Sequence, residues 1–427
     1  MNIALPVLAL ATPGQRYTCH GCGNCCRDFT VQLRPKDVAR IVEQGWMARL
    51  ATNPIVSFRG QHYLRQRADG ACIFLMGDGR CQVHAEYGFE AKPIACQMFP
   101  YMVAPSHATA QMGVSFACQS VVENKGKLVN EQVNDALRIA LRGLPETLRP
   151  VTGLALAHKR LAEPGEIEWF TKRLVAWIES DSPLRIRLDG IAWIAQALAV
   201  ARLTRVRGAR WNELLDVLFD ALAAELPLHP IAPPSPRQIA QLQSAIFSRT
   251  EDPKPLAQGA PSRLMSIVNQ LRRSRAWRTG RGARVVPAMG SQSGGSASFA
   301  QVWRVTAASD THESEAQARE AIDALMTRWL RASIEGGRSW GSGYYGWNAV
   351  DGLAALCITT ASIGWVARYE AAREARASVT LDDVRRAVRR IDRTAGRAPW
   401  LGRTSERLRI AFLVRDDGLR RVLHGHF

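Results

Sequence analysis

The chain has 427 residues, 47 % of them hydrophobic and 22 % charged. That suits a globular protein of two or three domains, with interior enough to fold without covalent staples. The formal net charge is +18 and only seven of the 56 basic residues are lysine, so the excess sits on guanidinium groups, which stay protonated and make forked contacts to carboxylate or phosphate.

Residues 1–12 are apolar, with no charge before Arg16 and no persuasive cleavage site. The run makes a poor signal peptide, and a cytoplasmic protein is expected. Cys19, Cys22, Cys25 and Cys26 then fall within eight residues, followed singly by Cys72, Cys81, Cys96 and Cys118; the rest of the chain holds only Cys357. Cysteine used as a small hydrophobe would be scattered. Close spacing on a tight loop lets several thiolates share one metal centre. Four disulfides are the rival, but they belong to oxidising compartments and small secreted domains.

The metal itself is left open by the spacing. Cys19-x2-Cys22-x2-Cys25 reproduces the first three ligands of the bacterial ferredoxin run, and Gly21 and Gly23 allow the backbone to wrap closely around a 4Fe–4S cluster. A fourth ligand would come from Cys72, Cys81, Cys96 or Cys118. Adjacent Cys25 and Cys26 tend to point apart, so Cys26 would serve a second site or the core. Eight thiolates would equally fill two tetrahedral zinc sites. His20 and His84 lie beside Cys19 and Cys81, but with eight thiolates at hand neither is needed as a ligand.

Helical periodicity follows over 130–144, 167–178, 191–203, 211–226 and 238–247, with a proline-marked loop from Pro227 to Pro236. Residues 262–277 form a basic amphipathic candidate. Residues 253–309 hold nine basic side chains and no acid, a balance suited to nucleic acid, anionic lipid or an acidic protein, or one that reflects arginine-rich composition alone. Nucleic acid is disfavoured, because no recognised binding module accompanies the charge. Residues 278–298 read as a flexible linker or loop. A long helix is expected over 313–334. The apolar stretch 352–367 is shorter than the ~20 residues a bilayer needs, so it reads as a buried core helix and no transmembrane segment is expected, with Cys357 a packed thiol. Helix 381–391 carries Arg385, Arg386, Arg389 and Arg390 on one face, which reads as solvated. Trp340, Tyr344, Tyr345 and Trp347 would either pack as core or form an aromatic wall for an alkylammonium or sulfonium group.

The cysteine motifs carry a resemblance. Tyr17-Thr18-Cys19 through Arg27, Cys72-Ile-Phe-Leu75, Asp78-Gly79-Arg80-Cys81-Gln-Val-His84 and Lys92-Pro93-Ile-Ala-Cys96-Gln-Met-Phe99-Pro100 occur in the order seen in the YkgJ-type cysteine-cluster family of zinc- or iron-chelating proteins, over about residues 17–120. Lys92-Pro93 and Cys96-Gln97 stand where that family often has Arg-Pro and Cys-Arg. A looser similarity links Ser115–Cys118, Trp329-Leu330-Arg331, Gly343–Gly346 and Val350–Leu353 to the flagellin lysine N-methylases, with Gln119 where proline is common. It implies an iron–sulfur-dependent methylase using S-adenosylmethionine on a lysine of an acceptor protein, with Tyr344, Tyr345 and Asp351 lining the cofactor pocket. The alternative is a non-catalytic metal protein whose metal is structural or stored.

The expected fold is therefore mainly α: a small, irregular cysteine-rich metal-binding domain over 1–125, helical regions over 126–277 and 299–427, and the 278–298 segment between them.

Overall fold

The computed structural model describes residues 7–9, 14–105, 110–143, 153–228, 230–251, 260–280, 283–286, 295–306 and 313–426. It is mainly helical, with a small mixed β/α part at the N-terminus that coincides with the cysteine-rich segment. Strands there are short because glycines and prolines interrupt them. Ile55–Phe58 and Gln61–Leu64 pair antiparallel in a hairpin, and Gln32–Leu33 adds to its other edge. The two turn residues, Arg59 and Gly60, both have positive φ, 50° and 75°, as a two-residue hairpin turn of matching twist requires. A second sheet places Ala110–Val114 between Tyr101–Pro105, antiparallel, and Val7–Ala9, parallel. This part has its own core, in which Leu33, Ile41, Trp46, Leu64, Phe74 and Val83 pack around Cys72.

The helical remainder is organised around Ala349–Arg373. Asn348 caps it, accepting from the Asp351 amide at 2.8 Å and donating to the Asp351 carboxylate at 2.7 Å. Nearly every residue of this helix is buried, because Leu184–Val200, Pro236–Thr250, Leu381–Thr394 and Gly418–His424 pack around it. It is long and apolar enough to cross a membrane, but its apolar window is 94 % buried within the protein. A helix apolar on all sides needs such a surround.

Much of the arginine faces inward. Arg249 and Glu406 pair at 2.7 Å with both side chains buried, Arg420 grips Asp189 at 2.7 and 2.9 Å, and Arg160 meets Glu166 at 2.5 Å. On the Arg385–Arg390 face, Arg385 and Arg386 stay over a third exposed, as the sequence suggests, but Arg389 and Arg390 do not. Arg389 donates to Gln119 at 3.1 Å and Arg390 to the Thr250 carbonyl at 3.2 Å, so the helix turns these two side chains onto neighbouring elements.

Other expectations shift locally. Pro227 does not end its helix, which runs Ala209–Leu228; a proline in the last turn leaves the bonds before it intact. The helix expected over 191–203 is Leu184–Val200, starting right after Pro183. Thr404–Leu413 and Gly418–His424 are helices that no clear periodicity announced. Of the 278–298 segment, 281–282 and 287–294 lie outside the described residues. Its described parts pair, with Val285 bridged to Ser298 and Val286 buried.

Candidate metal centre

The eight cysteines of the N-terminal part are held by short, irregular elements that interlock. Cys19 and Cys22 sit on the loop before helix Asn24–Asp28, which carries Cys25 and Cys26. Cys72 and Cys81 flank a turn closed by a Leu75–Cys81 bridge. Gly79 in that turn has φ 85°, and a Cβ there would stand 2.7 Å from the Gly21 carbonyl oxygen. Only glycine lets the two loops approach this closely. The Cys72 amide donates to the Cys26 carbonyl at 2.7 Å, fastening the two motifs directly. Cys96 lies in helix Ile94–Met98, whose first amide donates to buried Asp37 at 3.1 Å. Cys118 precedes helix Gln119–Glu123.

All nine cysteines are free thiols; Cys19 and Cys22 are exposed, Cys72 is buried, and Cys25, Cys26, Cys81, Cys96 and Cys118 are half-buried. The sulfurs lie close enough for their charges to act on one another. Cys19, Cys25 and Cys118 each interact with Cys22. Cys72 and Cys81 interact with Cys96, and Cys25 reaches both sets. Cys26 packs against the small core that contains Cys72. Among the described residues, no three His, Cys, Asp or Glu side chains are already gathered tightly enough to hold an ion.

Electrostatics supports the same chemistry. Backbone amides aim at sulfur, from Asn24 to Cys22, from Cys26 to Cys25, from Phe74 to Cys72, and from Ser120 and Val121 to Cys118. Such bonds favour thiolate. Burial wins nonetheless, pushing the Cys72 and Cys118 thiols up to about 12 and raising Cys22 and Cys96. The Cys25 thiol is raised first by its hydrogen bond with Cys26 and then by burial. These sulfurs therefore need a cation close by before they ionise near neutral pH, and a divalent or ferric metal is such a cation. The residues fit a thiolate-bound metal.

This lobe is fastened to the helices through two carboxylates. Asp392 accepts from the Ser115 hydroxyl at 2.8 Å, the Ala117 amide at 3.1 Å, the Trp329 indole at 3.2 Å and Arg338 at 2.8 Å. Asp28, two residues past Cys26, accepts from Arg393 at 2.9 Å, with Arg389 at 3.6 Å. Asp392, Arg338 and Arg389 were not among the expected site residues. Nothing local marks their roles, since their partners lie from 54 to 277 residues away.

The expected cofactor residues lie elsewhere, on the loop leading into helix Ala349–Arg373. Tyr344 is buried, packed edge-on to Tyr345 at 4.9 Å and Trp347 at 5.5 Å between centroids. The space it borders is about 20 Å³, room for one water. Tyr345 is half-buried with φ 52°. Asp351 is engaged in the helix cap.

Residues 18–124 match the family model CxxCxxCC, described as "Putative zinc- or iron-chelating domain". An uncharacterized protein of Methanocaldococcus jannaschii is 24 % identical over 129 residues, 30 % of this chain and 44 % of that protein. The chain thus spans less than half the length of this relative. No solved structure matches. The match covers the first quarter of the chain, where the cysteine cluster resembles the YkgJ type. The family match ends at residue 124, and neither it nor the relative supports the similarity to the flagellin lysine N-methylases expected from the short motifs.

Proposed function

We propose that the chain is a metal protein whose N-terminal part binds iron–sulfur or zinc through two thiolate groups, Cys19–Cys22–Cys25–Cys118 and Cys26–Cys72–Cys81–Cys96. The observation that carries this is the set of eight free thiols, four of them receiving backbone amides, on loops interlocked at Gly21 and Gly79. When bound, zinc would cross-link the loops, and an iron–sulfur cluster would add one-electron transfer. The chain's own residues position the sulfurs, keep them partly from water and tie them to the helices through Asp28 and Asp392. Anaerobic purification with iron, sulfide and zinc analysis tests the reading. Iron and sulfide in near-equal amounts identify a cluster, and stoichiometric zinc without sulfide identifies tetrahedral sites. A full-length, folded chain with neither metal refutes the proposal.

Methyl transfer from S-adenosylmethionine to a lysine of an acceptor protein is the second reading. It is favoured by one observation: an aromatic face at the 344–347 loop already takes a cation, with the Arg407 guanidinium 5.1 Å from the Trp347 ring centroid. Half-buried Tyr345 and Asp351 are the residues at which a donor would be met, and calorimetry with S-adenosylmethionine tests it.

A further inference from the structure

Trp277 is fully buried, edge-on to Phe299 at 5.6 Å and tilted against Trp365 at 5.2 Å between ring centroids. It fastens one side of helix Ala260–Thr279 to the helical core. Arg273 adds to the hold, with its guanidinium over the Phe247 ring and 3.0 Å from Glu251. The opposite side of the helix is uncovered. Ile267, Leu271, Arg275 and Arg278 succeed one another at three- and four-residue steps, with Val268 and Arg272 beside them, so they share one face. Ile267 and Val268 are 49 % and 42 % exposed, and Leu271 and neighbouring Met265 are 65 % and 62 % exposed.

Arg272, Arg275 and Arg278 are exposed as well, and among the described residues no carboxylate pairs with them. No acid occurs anywhere in residues 253–309. Arg284 donates to the Thr279 hydroxyl at 3.1 Å, which brings exposed Val285 to the end of the same helix. Apolar side chains grouped on consecutive exposed turns mark a surface that something covers, and the arginines select what covers it. A second copy would set its own arginines against these, with no acid on the face to relieve the repulsion. A nucleic-acid backbone would satisfy the arginines but not Met265, Ile267, Val268 and Leu271, and the face carries no aromatic ring on which a base could stack. Anionic lipid satisfies both. Its phosphates meet the guanidinium groups, its interfacial region takes the apolar side chains, and a planar surface needs only the one open face.

We propose that this face of helix Ala260–Thr279 docks on an anionic membrane surface. Ile267, Val268 and Leu271 enter the boundary between headgroups and acyl chains, and Arg272, Arg275 and Arg278 lie on lipid phosphates. The attachment is peripheral and reversible, because so short an apolar face lies in the interface without spanning the bilayer.

The test sediments the full-length protein, as purified, with vesicles of phosphatidylcholine alone and of phosphatidylcholine mixed with phosphatidylserine, across a salt series. Binding to the mixed vesicles is expected, falling as salt rises, with little binding to the neutral ones. R272Q/R275Q/R278Q should weaken it about a hundredfold, at roughly fivefold per arginine. I267S/L271S keeps every charge and should still weaken it about tenfold or more. Its melting temperature should not change, because both side chains already face water. R202Q/R205Q/R210Q removes as many exposed arginines from another part of the surface and should leave most of the binding. Vesicle binding that survives I267S/L271S, or that falls as far in R202Q/R205Q/R210Q, would mean diffuse charge attraction and overturns the proposal. No binding to the mixed vesicles overturns it outright; capture by polyglutamate, or a dimer in solution, would then give the face to an acidic protein or to a second copy.

Discussion

The Ser115 hydroxyl donates to the Asp392 carboxylate at 2.8 Å across 277 residues of sequence. Ser115 lies three residues before Cys118, and Asp392 lies on the helix that carries Arg385 and Arg389. The bond therefore joins the cysteine lobe to the helical part at a buried point, with Ser115 and Asp392 both under 2 % exposed. D392N should destabilise the protein by about 3–5 kcal/mol in chemical denaturation, because it leaves Arg338 buried without its counter-charge. S115A should cost only about 1 kcal/mol, since Asp392 keeps its other three donors.

Asp392 also gives a pH dependence of known sign. Burial alone would raise its pKa, but Arg338 and Arg397 outweigh it and hold the carboxyl below its ordinary 3.8. The stabilisation is fully present above 3.8 and lost as pH falls through the lower folded value. The stability gap between wild type and D392N should be flat from neutral pH down to about 4 and narrow only below that. A gap that closes between pH 7 and 5 would contradict this assignment.

Two thiol groups predict divisible metal loss. C22A and C72A should each remove part of the bound metal, and the double variant should remove all of it. Hydrogen exchange should show protection lost first in residues 18–124, with helix Ala349–Arg373 retained, because metal binding supplies folding free energy to ligand-rich segments. Complete loss of metal from C22A alone would mean a single centre.

The Gly21–Gly79 contact can be probed without touching a ligand. G79A places a side chain at φ 85° and 2.7 Å from a carbonyl oxygen. The left-handed backbone alone costs about 1–2 kcal/mol, and the clash adds to it. Gly77 has open space around its Cβ position, so G77A should behave as wild type. Lower melting temperature and reduced metal content in G79A, with neither in G77A, is the expected result.

The cysteine cluster and the core helix were legible because both are local signals. Two-residue spacing survives into the loop Cys19–Cys26, and the apolar run 352–367 survives as the centre of Ala349–Arg373. Arg389 and Arg390 on the basic helix face were misread because their partners are remote. Gln119 lies 270 residues from Arg389, and the Thr250 carbonyl lies 140 residues from Arg390. Charge on a helix face looks the same in sequence whether water or a carbonyl meets it. The Asp392 junction was invisible for the same reason, and the final two helices were missed because burial of Leu413, Leu419 and Val422, not periodicity, stabilises them.

Inward pairing of arginine also bears on nucleic acid. Each pair with a carboxylate is neutral, however, so the formal +18 is the excess left outside such pairs, and its attraction to phosphate is of the non-specific, counterion-releasing kind that falls steeply with salt. Binding to duplex DNA or RNA should be weak at low salt and absent near 0.15 M, where exposed charges are screened beyond about 8 Å. Sequence-specific retention at that salt in a mobility-shift assay would reverse the conclusion.

The 344–347 loop decides between the enzyme and the non-catalytic metal protein. Tyr344 is 4 % exposed and closely packed against Trp347, so Y344A should act on the fold, lowering stability by about 3 kcal/mol as buried aromatic truncations do. Tyr345 is half-buried, and its hydroxyl donates to the Thr394 carbonyl at a long 3.4 Å. Y345F should therefore fold normally, and Y345A should keep its metal, because the eight N-terminal cysteines all lie in residues 19–118, outside this loop. A methylase must hold its donor and the acceptor lysine within reacting distance, since most of its rate comes from that positioning. On the methylase reading, metal-loaded wild type binds S-adenosylmethionine in calorimetry, Y345A loses that binding, and the iron or zinc content of both is the same. Wild type that carries its full metal and binds no donor would leave the metal-binding reading intact and remove methyl transfer from it.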